Sequence, residues 1–427
     1  MTTEVSEVGA KTLAAREAAR ALARVSTEAK NHALLAIARD LLEHEAYVLS
    51  ANREDIEAGR AAGLGNAVLD RLFLSHDRLE NIANDVRQVS LLPDPVGEMI
   101  DMRTLPNGLW VGRRRVPLGV IAAIFESRPN VTVDIASLCL KSGNACILRG
   151  GKEAIHSNTA LAKIVREAIG SAGVPQDAVQ LIENTDRALL GEMLRMRDSI
   201  DLVVPRGGAD LIRYVAENAT MPVLTGGIGV CHTYVDRAAD IDKAVRVVHN
   251  AKTRKYSICN ALDTVLVHQD VAEPFLPEIG RRWSEAGVEM RCDDEAYRIL
   301  NAAEIPELKL EHAAPDDFGH EFLALIAAVK IVDSADSALG HIRRYGTGHS
   351  DAIITEDYSV AMRFVDEVDS AVVYVNASTQ FTDGAQFGLG AEIIDSTQKT
   401  IARGPVGLRE ITTYKWIVLG DGQTRPG

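Results

Sequence analysis

The chain has 427 residues, more than one hydrophobic core ordinarily organises, so its length predicts two or three domains. Hydrophobic residues make up 46% and charged residues 25%, which is typical of a globular protein, and no apolar run reaches the roughly 18 residues of a membrane helix. The net charge of −14 argues against a nucleic-acid partner, since such proteins carry a basic surplus, but allows an anionic substrate in a local basic cleft.

Cysteine usage and the N-terminus indicate the compartment. The five cysteines are few, odd in number and not set in a paired framework, so free thiols in reducing surroundings are expected. The first ten residues carry Glu4 and Glu7 and have no apolar stretch, which is not typical of a secretory signal. Together these features predict a cytoplasmic protein.

The predicted elements begin with helices. Over about the first 90 residues, apolar side chains such as Ala14, Ala18 and Leu22 recur at helical spacing, and the pattern resumes over 33–42 and 48–56. We expect several amphipathic helices here, with no chemistry of their own.

A hairpin is predicted next, within 101–117. The turn signal Pro106-Asn107-Gly108 lies between short β-prone flanks. Three arginines, 113–115, follow the turn and are typical of a strand that faces solvent or another subunit.

Strands and helices then alternate regularly, and this alternation predicts a doubly wound parallel sheet in an α/β fold. Ligands of such sheets lie beyond the carboxyl ends of the strands. The predicted strands are 120–125, 145–148, 179–182, 200–204 and 222–224, and the predicted helices are 131–140, 156–169, 188–196 and 209–218.

A second α/β stretch begins near Thr233. Its predicted strands are 264–268, 327–332, 352–355 and 371–375, and the tail 412–419 is predicted as a late strand. This tail can pair with the early hairpin despite their separation in sequence.

Two glycine-bearing loops each follow a strand and precede a helix. Glycine lets the backbone approach an oxygen-rich ligand, and a helix N-terminus favours negative charge. Each loop alone is also compatible with a simple turn, but two such loops on nearby crossovers, each with an arginine, favour a nucleotide site. They are Arg149-Gly150-Gly151-Lys152 and Arg206-Gly207-Gly208.

The cysteines differ in their surroundings. Cys139 and Cys146 lie in apolar segments and are expected in the core, Cys231 is expected to be structural, and Cys292 is predicted to be exposed. Cys259 follows three cations, at 252, 254 and 255, and positive charge stabilises a nucleophilic thiolate. A catalytic role and a passive loop cysteine both remain open on this evidence.

A polar, glycine-rich stretch over 376–390 could supply hydroxyl and amide donors to a phosphate, although an ordinary loop has the same composition. His349-Ser350-Asp351 does not predict a Ser-His-Asp triad, since three adjacent residues are not expected to face one another. No set of residues has zinc spacing, so no metal is expected.

Long runs of the sequence resemble the aldehyde dehydrogenase superfamily and, within it, the family of gamma-glutamyl phosphate reductases. The runs include Glu126-Ser127-Arg128-Pro129-Asn130 and Thr225-Gly226-Gly227, and together they span about residue 100 to the C-terminus. They are 117–121, 126–132, 148–153, 225–232, 250–253, 341–351 and 376–392.

The resemblance places Cys259 at the family's catalytic cysteine and Glu321 at a glutamate that contacts the nicotinamide ribose. Leu224 stands where hydrolytic relatives carry a glutamate that activates water, and leucine cannot act as a base. The resemblance therefore implies that the thioester on Cys259 is reduced, or attacked by phosphate, rather than hydrolysed.

Other matched positions bear on the cofactor and the oxyanion. Lys152 replaces a glutamate of NAD-preferring relatives, so with Arg149 it implies NADPH. Ser127 stands at an oxyanion-holding asparagine, which leaves Asn130, Arg128 or backbone donors for that task. Gln380 stands where the family is expected to carry arginine, and no key role is assigned to it.

The resemblance implies the remaining site assignments by position. Catalytic roles fall to Cys259, Asn130 and Ser127. Cofactor contacts fall to Glu321 and both glycine loops, that is, Arg149, Gly150, Gly151, Lys152, Arg206, Gly207 and Gly208. Substrate contacts fall to Arg128, His349, Ser350, Asn376, Ser378 and Thr379.

The implied activity is NADPH-dependent reduction of L-glutamyl 5-phosphate to L-glutamate 5-semialdehyde and phosphate, the second step from glutamate to proline. Another acylating dehydrogenase, using coenzyme A or a different semialdehyde, is the alternative; a silent scaffold is disfavoured by Cys259 and the glycine loops. Expected partners are a second copy, as dimer or tetramer, and a glutamate 5-kinase that hands over the labile acyl phosphate.

Three domains are expected within an aldehyde dehydrogenase-like α/β fold. The NADPH-binding domain, with a Rossmann-type parallel sheet, comprises 1–100 and 118–226. The catalytic domain comprises 227–397, and a small β extension for oligomerisation combines 101–117 with 398–427.

Overall fold

The computed structural model describes residues 6–425. The first ten residues were predicted not to form a secretory signal, and the first five of them lie outside the described residues. The chain divides into two compact units. The first unit comprises Met1–Thr225, Gly388–Ile394 and Val406–Gly427; the second comprises Gly226–Phe387 and Asp395–Pro405. Within the described residues, no helix is both long enough and apolar enough to cross a membrane.

Helices open the first unit, as the periodicity predicts. Serine side chains cap three of them: the hydroxyls of Ser6, Ser26 and Ser75 accept hydrogen bonds from backbone N–H groups three residues on. The helices are α1 (Glu7–Leu22), α2 (Thr27–Glu43), α3 (Glu45–Ala61), α4 (Asn66–Leu72) and α5 (His76–Leu91).

The predicted hairpin is confirmed as β1 (Met99–Thr104) and β2 (Trp110–Pro117). The C-terminal strand β16 (Thr412–Leu419) pairs with β2 in antiparallel register, from Thr412 opposite Pro117 to Leu419 opposite Trp110. These strands form a three-stranded sheet that joins the C-terminal strand to the hairpin.

The alternating region forms a four-stranded parallel sheet in the order β5-β4-β3-β6. The predicted short fifth strand, 222–224, makes only an isolated parallel bridge between Val203 and Val223 and is not a full strand of this sheet. The elements are β3 (Val120–Phe125), α6 (Asn130–Lys141), β4 (Ala145–Gly150), α7 (Ile155–Ser171), β5 (Val179–Leu181), α8 (Arg187–Met193), β6 (Leu202–Arg206) and α9 (Ala209–Asn218).

Three strands of this sheet end level with one another. Phe125, the last residue of β3, lies opposite Gly150 of β4 and Arg206 of β6. The loops that begin at 126, 151 and 207 therefore leave the sheet at one edge, the edge where parallel sheets bind ligands.

The second unit contains a seven-stranded parallel sheet in the order β10-β9-β11-β8-β7-β12-β13, followed by a short antiparallel pair, β14 with β15. Its first elements are β7 (Cys231–Val235), α10 (Ile241–Thr253), β8 (Leu262–His268), α11 (Gln269–Glu285), β9 (Glu289–Cys292) and α12 (Asp294–Ala302). Its later elements are β10 (Lys309–His312), β11 (Ile326–Val332), α13 (Ala335–Tyr345), β12 (Ser350–Ile354), α14 (Tyr358–Glu367), β13 (Val372–Val375), β14 (Asp395–Ser396) and β15 (Gly404–Pro405).

The prediction that Cys292 is exposed is wrong, because the thiol is fully buried. Cys292 ends β9, which lies between β10 and β11 and was not predicted from the sequence. Side chains alternate between the faces of a strand, so a buried thiol stands next to the charged Arg291. Cys139 and Cys146 are buried, as expected, and Cys231 is buried as well.

Candidate functional site

The candidate catalytic groups of the second unit gather at the amino ends of its central strands. Cys259 lies on the loop between α10 and β8, three residues before β8 begins. Cys231 starts β7 opposite Leu262 of β8, and His349 immediately precedes β12. The site of this sheet thus lies at the opposite edge from that expected for a doubly wound sheet, because the cysteine loop enters β8 rather than leaving it.

Cys259 is half-buried, and its backbone is closely packed. The thiol of Cys231 donates to the Cys259 carbonyl oxygen at 3.3 Å. Gly229 packs so tightly that a β-carbon there would lie 1.8 Å from the same oxygen, so only glycine fits. The side chains of Cys259, His349 and Asp395 bring one sulfur, one nitrogen and one oxygen within 4.8 Å of one another.

His349 is buried, and burial lowers the pKa of its imidazole to about 4, against the opposite pull of Asp351. The ring is therefore neutral near pH 7. Its Nδ1 lies 2.9 Å from the Ser350 hydroxyl, which in turn shares a hydrogen bond of 2.7 Å with Thr382. These bonds fix the ring beside the cysteine.

The expectation that adjacent residues 349–351 cannot contact one another is wrong for His349 and Ser350, which are hydrogen-bonded. Asp351 nevertheless takes no part in a triad. Its carboxylate accepts hydrogen bonds from His232 and Ser370 and does not contact His349. The serine hydroxyl is also buried, so the arrangement orients an imidazole rather than activating Ser350.

A buried ion pair closes the loop that carries Cys259. Lys252, at the end of α10, donates to the Leu262 carbonyl at 2.8 Å and lies 3.7 Å from Asp263, at the start of β8. Both side chains are almost fully buried. Burial lowers the pKa of Lys252 and raises the pKa of Asp263 to about 6, although each charge counteracts the shift of the other. The pair thus joins both ends of the loop.

Gln380 binds the same loop from the other side. Its amide nitrogen donates to the carbonyls of Ala251 at 2.9 Å and Lys255 at 3.2 Å, and its oxygen accepts from Arg254 at 3.1 Å. The side chain is buried. Gln380 is therefore a loop anchor, a role that sequence reasoning missed because its partners are mostly backbone groups.

Glu321 contacts the site through the backbone. Its carboxylate accepts from the Gly229 N–H at 3.0 Å, and burial raises its pKa. Because Gly229 contacts Cys259, Glu321 belongs to the same cluster. Its predicted contact with a nicotinamide ribose stays a prediction.

The polar stretch 376–390 is largely engaged in holding backbone. The Asn376 amide both donates to and accepts from the backbone of Thr355. The Ser378 hydroxyl accepts from the Gln380 N–H. The buried Thr379 hydroxyl has no hydrogen-bond partner among the described residues. Substrate contacts by these three residues stay predictions.

In the first unit, Ser127 lies two residues after the end of β3 and has a left-handed backbone, φ 49°. Its N–H and hydroxyl both donate to the Glu153 carboxylate, at 2.7 and 3.0 Å. These bonds join the loop after β3 to the loop after β4. Next along the chain, the exposed Arg128 precedes Asn130, which starts α6 and donates to Asp134 at 2.8 Å. Oxyanion contacts by Ser127 or Asn130 stay predictions.

The two glycine loops differ in their cations. Arg149 donates to the carbonyls of Thr185 and Asp186, and burial lowers its pKa. Lys152 is exposed and makes no hydrogen bond or ion pair within the described residues. Arg206 is half-buried at the end of β6. Lys152 is therefore the cation of the first loop that is available to a ligand.

The second glycine loop leads directly into α9. Gly207 and Gly208 are exposed, and the Gly208 N–H donates to the Glu126 carboxylate at 2.9 Å. Gly208 caps α9 without a side-chain hydrogen bond. The N-terminus of α9 thus already binds a carboxylate, as the helix dipole favours.

Comparisons with known proteins agree with this architecture. The sequence model of the Aldehyde dehydrogenase family matches residues 2–298. A gamma-glutamyl phosphate reductase of Dehalococcoides mccartyi (strain CBDB1) is 58% identical over 98% of both chains. Another, of Roseiflexus castenholzii, is 54% identical over 99% of this chain and 100% of the relative.

Solved structures give the same result. The crystal structure of gamma-glutamyl phosphate reductase from Thermotoga maritima is 47% identical and has a TM-score of 0.95, covering 99% of this chain and 100% of that chain. An acetylating aldehyde dehydrogenase from Geobacillus thermoglucosidasius, 20% identical with a TM-score of 0.70 over 99% and 98%, shares the fold. The predicted resemblance and fold class are confirmed.

The close contact at Gly229 predicts the effect of one methyl group. Gly229→Ala should displace the Cys259 backbone and lower kcat/KM about 100-fold or more, because small displacements of a reacting group are costly. Gly340→Ala on α13 is the matched control, since its β-carbon meets nothing within 4 Å. Circular dichroism should show both variants folded. Wild-type activity in Gly229→Ala would contradict the contact.

The raised pKa of Asp263 predicts a pH-dependent stability. The folded chain holds this proton more tightly than the unfolded chain, so the contribution of Asp263 to stability falls as pH rises from about 4 to about 6. In Asp263→Asn this fall is absent. Urea unfolding should show that the free energy of unfolding of Asp263→Asn, minus that of wild type, rises by roughly 1–3 kcal/mol between these two pH values. If the difference in free energy of unfolding between the variant and wild type did not change with pH, the raised pKa of Asp263 would be refuted.

Proposed function

The chain belongs to the aldehyde dehydrogenase family, and we propose that it reduces L-glutamyl 5-phosphate to L-glutamate 5-semialdehyde with NADPH, using Cys259 as nucleophile. The observation that carries the proposal is the half-buried Cys259 thiol beside a buried, neutral imidazole, on a loop held by the Lys252–Asp263 pair. The relatives named gamma-glutamyl phosphate reductase support the substrate.

In the proposed reaction Cys259 attacks the acyl carbon and its sulfur forms a thioester, while the carbon–oxygen bond to phosphate breaks. The thiol proton passes to solvent as the sulfur–carbon bond forms, and His349, whose neutral form burial favours, lies within 4.8 Å of the sulfur. The departing phosphate carries off the bonding electron pair. Hydride addition to the thioester carbon then releases the aldehyde, and the sulfur leaves as thiolate.

Water is a poor competitor in this scheme. Leu224 is fully buried, and its N–H donates to Val203 at 2.8 Å. An aliphatic side chain cannot deprotonate water. Because the family resemblance puts Leu224 at the position of the hydrolytic base, the proposed scheme lacks that base, and the thioester waits for hydride or phosphate.

The first unit fits a nicotinamide dinucleotide. Three loops leave its sheet at one edge, and the exposed N-terminus of α9 already accepts a carboxylate. Gly207 and Gly208 would hold the pyrophosphate, and the exposed Lys152 would face a 2′-phosphate. When bound, the reduced nicotinamide supplies the hydride. Arg149 contributes less to cofactor binding than its position in the loop suggests, because its Nη2 atom donates to two backbone carbonyls.

The three-stranded sheet supports the proposed role in oligomerisation. Large apolar side chains of β2 and β16 are about half exposed, and such patches mark protein interfaces. Arg113 stacks over Tyr414 at 4.7 Å and so belongs to this surface. A second copy is the proposed occupant. The residues are Trp110, Tyr414, Trp416, Val418 and Leu419.

The acyl-phosphate assignment predicts strict phosphate dependence in the reverse direction. NADP⁺ reduction by the semialdehyde should require phosphate or arsenate, and Cys259→Ala should lose at least about a thousandfold in kcat. Cys292→Ala, in a buried cysteine outside the site, is the control. Turnover of Cys259→Ala would refute the nucleophile. Replacement of phosphate by coenzyme A would favour a different acylating dehydrogenase.

Cofactor preference should depend on the exposed lysine. Lys152→Glu places a negative charge near the 2′-phosphate, so the ratio of kcat/KM for NADPH to that for NADH should fall about tenfold or more. Lys163→Glu, an exposed lysine on α7, should leave the ratio unchanged. An unchanged ratio in Lys152→Glu would show that Lys152 does not contact the cofactor.

A further inference from the structure

Three metal-ligating side chains from distant parts of the sequence meet in the second unit. Cys259 comes from the loop before β8, His349 from the residue before β12, and Asp395 from β14. One ligand atom of each lies within 4.8 Å of the other two, and no other group of three among the described residues does this. We call these residues the Cys–His–Asp group.

We propose that the Cys–His–Asp group binds a thiophilic divalent cation, Zn²⁺ above all, which reversibly caps the nucleophile. Thiolate sulfur, imidazole nitrogen and carboxylate oxygen are the three ligand types of protein zinc sites. The thiolate and the carboxylate together balance the two positive charges of the ion. Three protein ligands leave the fourth tetrahedral position to water.

His349 provides independent support for a ligand at this place. The residue is 2% exposed, and its Nε2 has no hydrogen-bond partner among the described residues. A buried ring nitrogen of this kind is costly unless something binds it. The other nitrogen, Nδ1, lies 2.9 Å from the Ser350 hydroxyl. Metal-binding imidazoles usually use their second nitrogen in this way, because the hydrogen bond orients the ring.

The other two ligands suit an ion that enters from solvent. Cys259 and Asp395 are both half-buried residues, so two of the three ligands come from residues near the protein surface. Asp395 of β14 pairs with Pro405 of β15, and this pairing fixes the backbone of Asp395. With metal–ligand bonds of about 2.0–2.3 Å, ligand atoms in a tetrahedral site lie about 3.3–3.6 Å apart, so the present separations of up to 4.8 Å need to shorten by only about 1 Å.

Binding is a simple exchange. The Cys259 sulfur releases its proton to solvent and forms a bond to the metal, and nothing is oxidised or reduced. A metal-bound thiolate cannot attack an acyl phosphate, so the ion acts as an inhibitor that a chelator removes. The metal site does not depend on the proposed reaction; only the inhibition rests on it.

The test uses Co²⁺ as a spectroscopic probe for Zn²⁺. Full-length protein freed of metal with a chelator should bind one Co²⁺ with a sulfur-to-cobalt charge-transfer band and strong visible bands of four-coordinate Co²⁺, and Zn²⁺ should displace it. Cys259→Ser should abolish the charge-transfer band. His349→Asn and Asp395→Asn should each weaken Co²⁺ binding about tenfold or more.

Two matched controls keep this result specific. Cys292→Ala removes a buried thiol of β9, and His312→Ala removes an exposed histidine that pairs with Asp294 at 3.3 Å. Neither should change the Co²⁺ spectrum or affinity. In the wild type, Zn²⁺ should also stop turnover and block iodoacetamide labelling of Cys259, and a chelator should restore both.

Each outcome decides the proposal. No charge-transfer band, or a band that survives Cys259→Ser, overturns the site. Unchanged affinity in both His349→Asn and Asp395→Asn reduces the site to a single thiol and also overturns it. A normal cobalt spectrum without reductase activity keeps the metal site and refutes the proposed function, whereas phosphate-dependent activity without the spectrum does the reverse.

Discussion

The arrangement of the candidate site depends on one buried ion pair, Lys252 with Asp263. Charges are expensive to bury, and a pair repays that cost only when its remaining donors and acceptors are satisfied. Here Lys252 also donates to the Leu262 carbonyl, while Asp263 accepts from the N–H groups of Cys231 and Phe322. The pair therefore ties α10, β7, β8 and the segment before β11 together beneath the cysteine loop.

The remaining contacts position the cysteine through backbone atoms. Gly229 packs on the Cys259 carbonyl, Glu321 holds Gly229, and Gln380 binds the carbonyls on the other side of the loop. Such contacts fix the loop without using the thiol. The Cys259 sulfur lies within 4.8 Å of a neutral imidazole, where we propose acyl transfer and, in our further inference, metal binding.

Periodicity and turn chemistry were sufficient for much of the fold. The hairpin, the C-terminal strand and most of the alternating elements lie where the sequence predicts them, because each has its own apolar pattern. β9 and β10 were missed because they are short and carry charged residues, and this error placed Cys292 at the surface. The family resemblance identified Cys259, but it did not identify the residues that hold the Cys259 loop in place. Gln380 and Asp395 approach the Cys259 loop from segments more than a hundred residues further along the chain, and no spacing rule reports such contacts.

In the proposed reaction, Cys259 carries an acyl group that water does not remove. The most direct test mixes the protein with glutamate 5-semialdehyde and NADP⁺ without phosphate, and follows NADPH formation and the mass of the Cys259 peptide. We expect a rapid burst of one NADPH per active site that then stops, with a glutamyl thioester on Cys259 that phosphate discharges. Continued turnover without phosphate, or a burst with no adduct on Cys259, would contradict it.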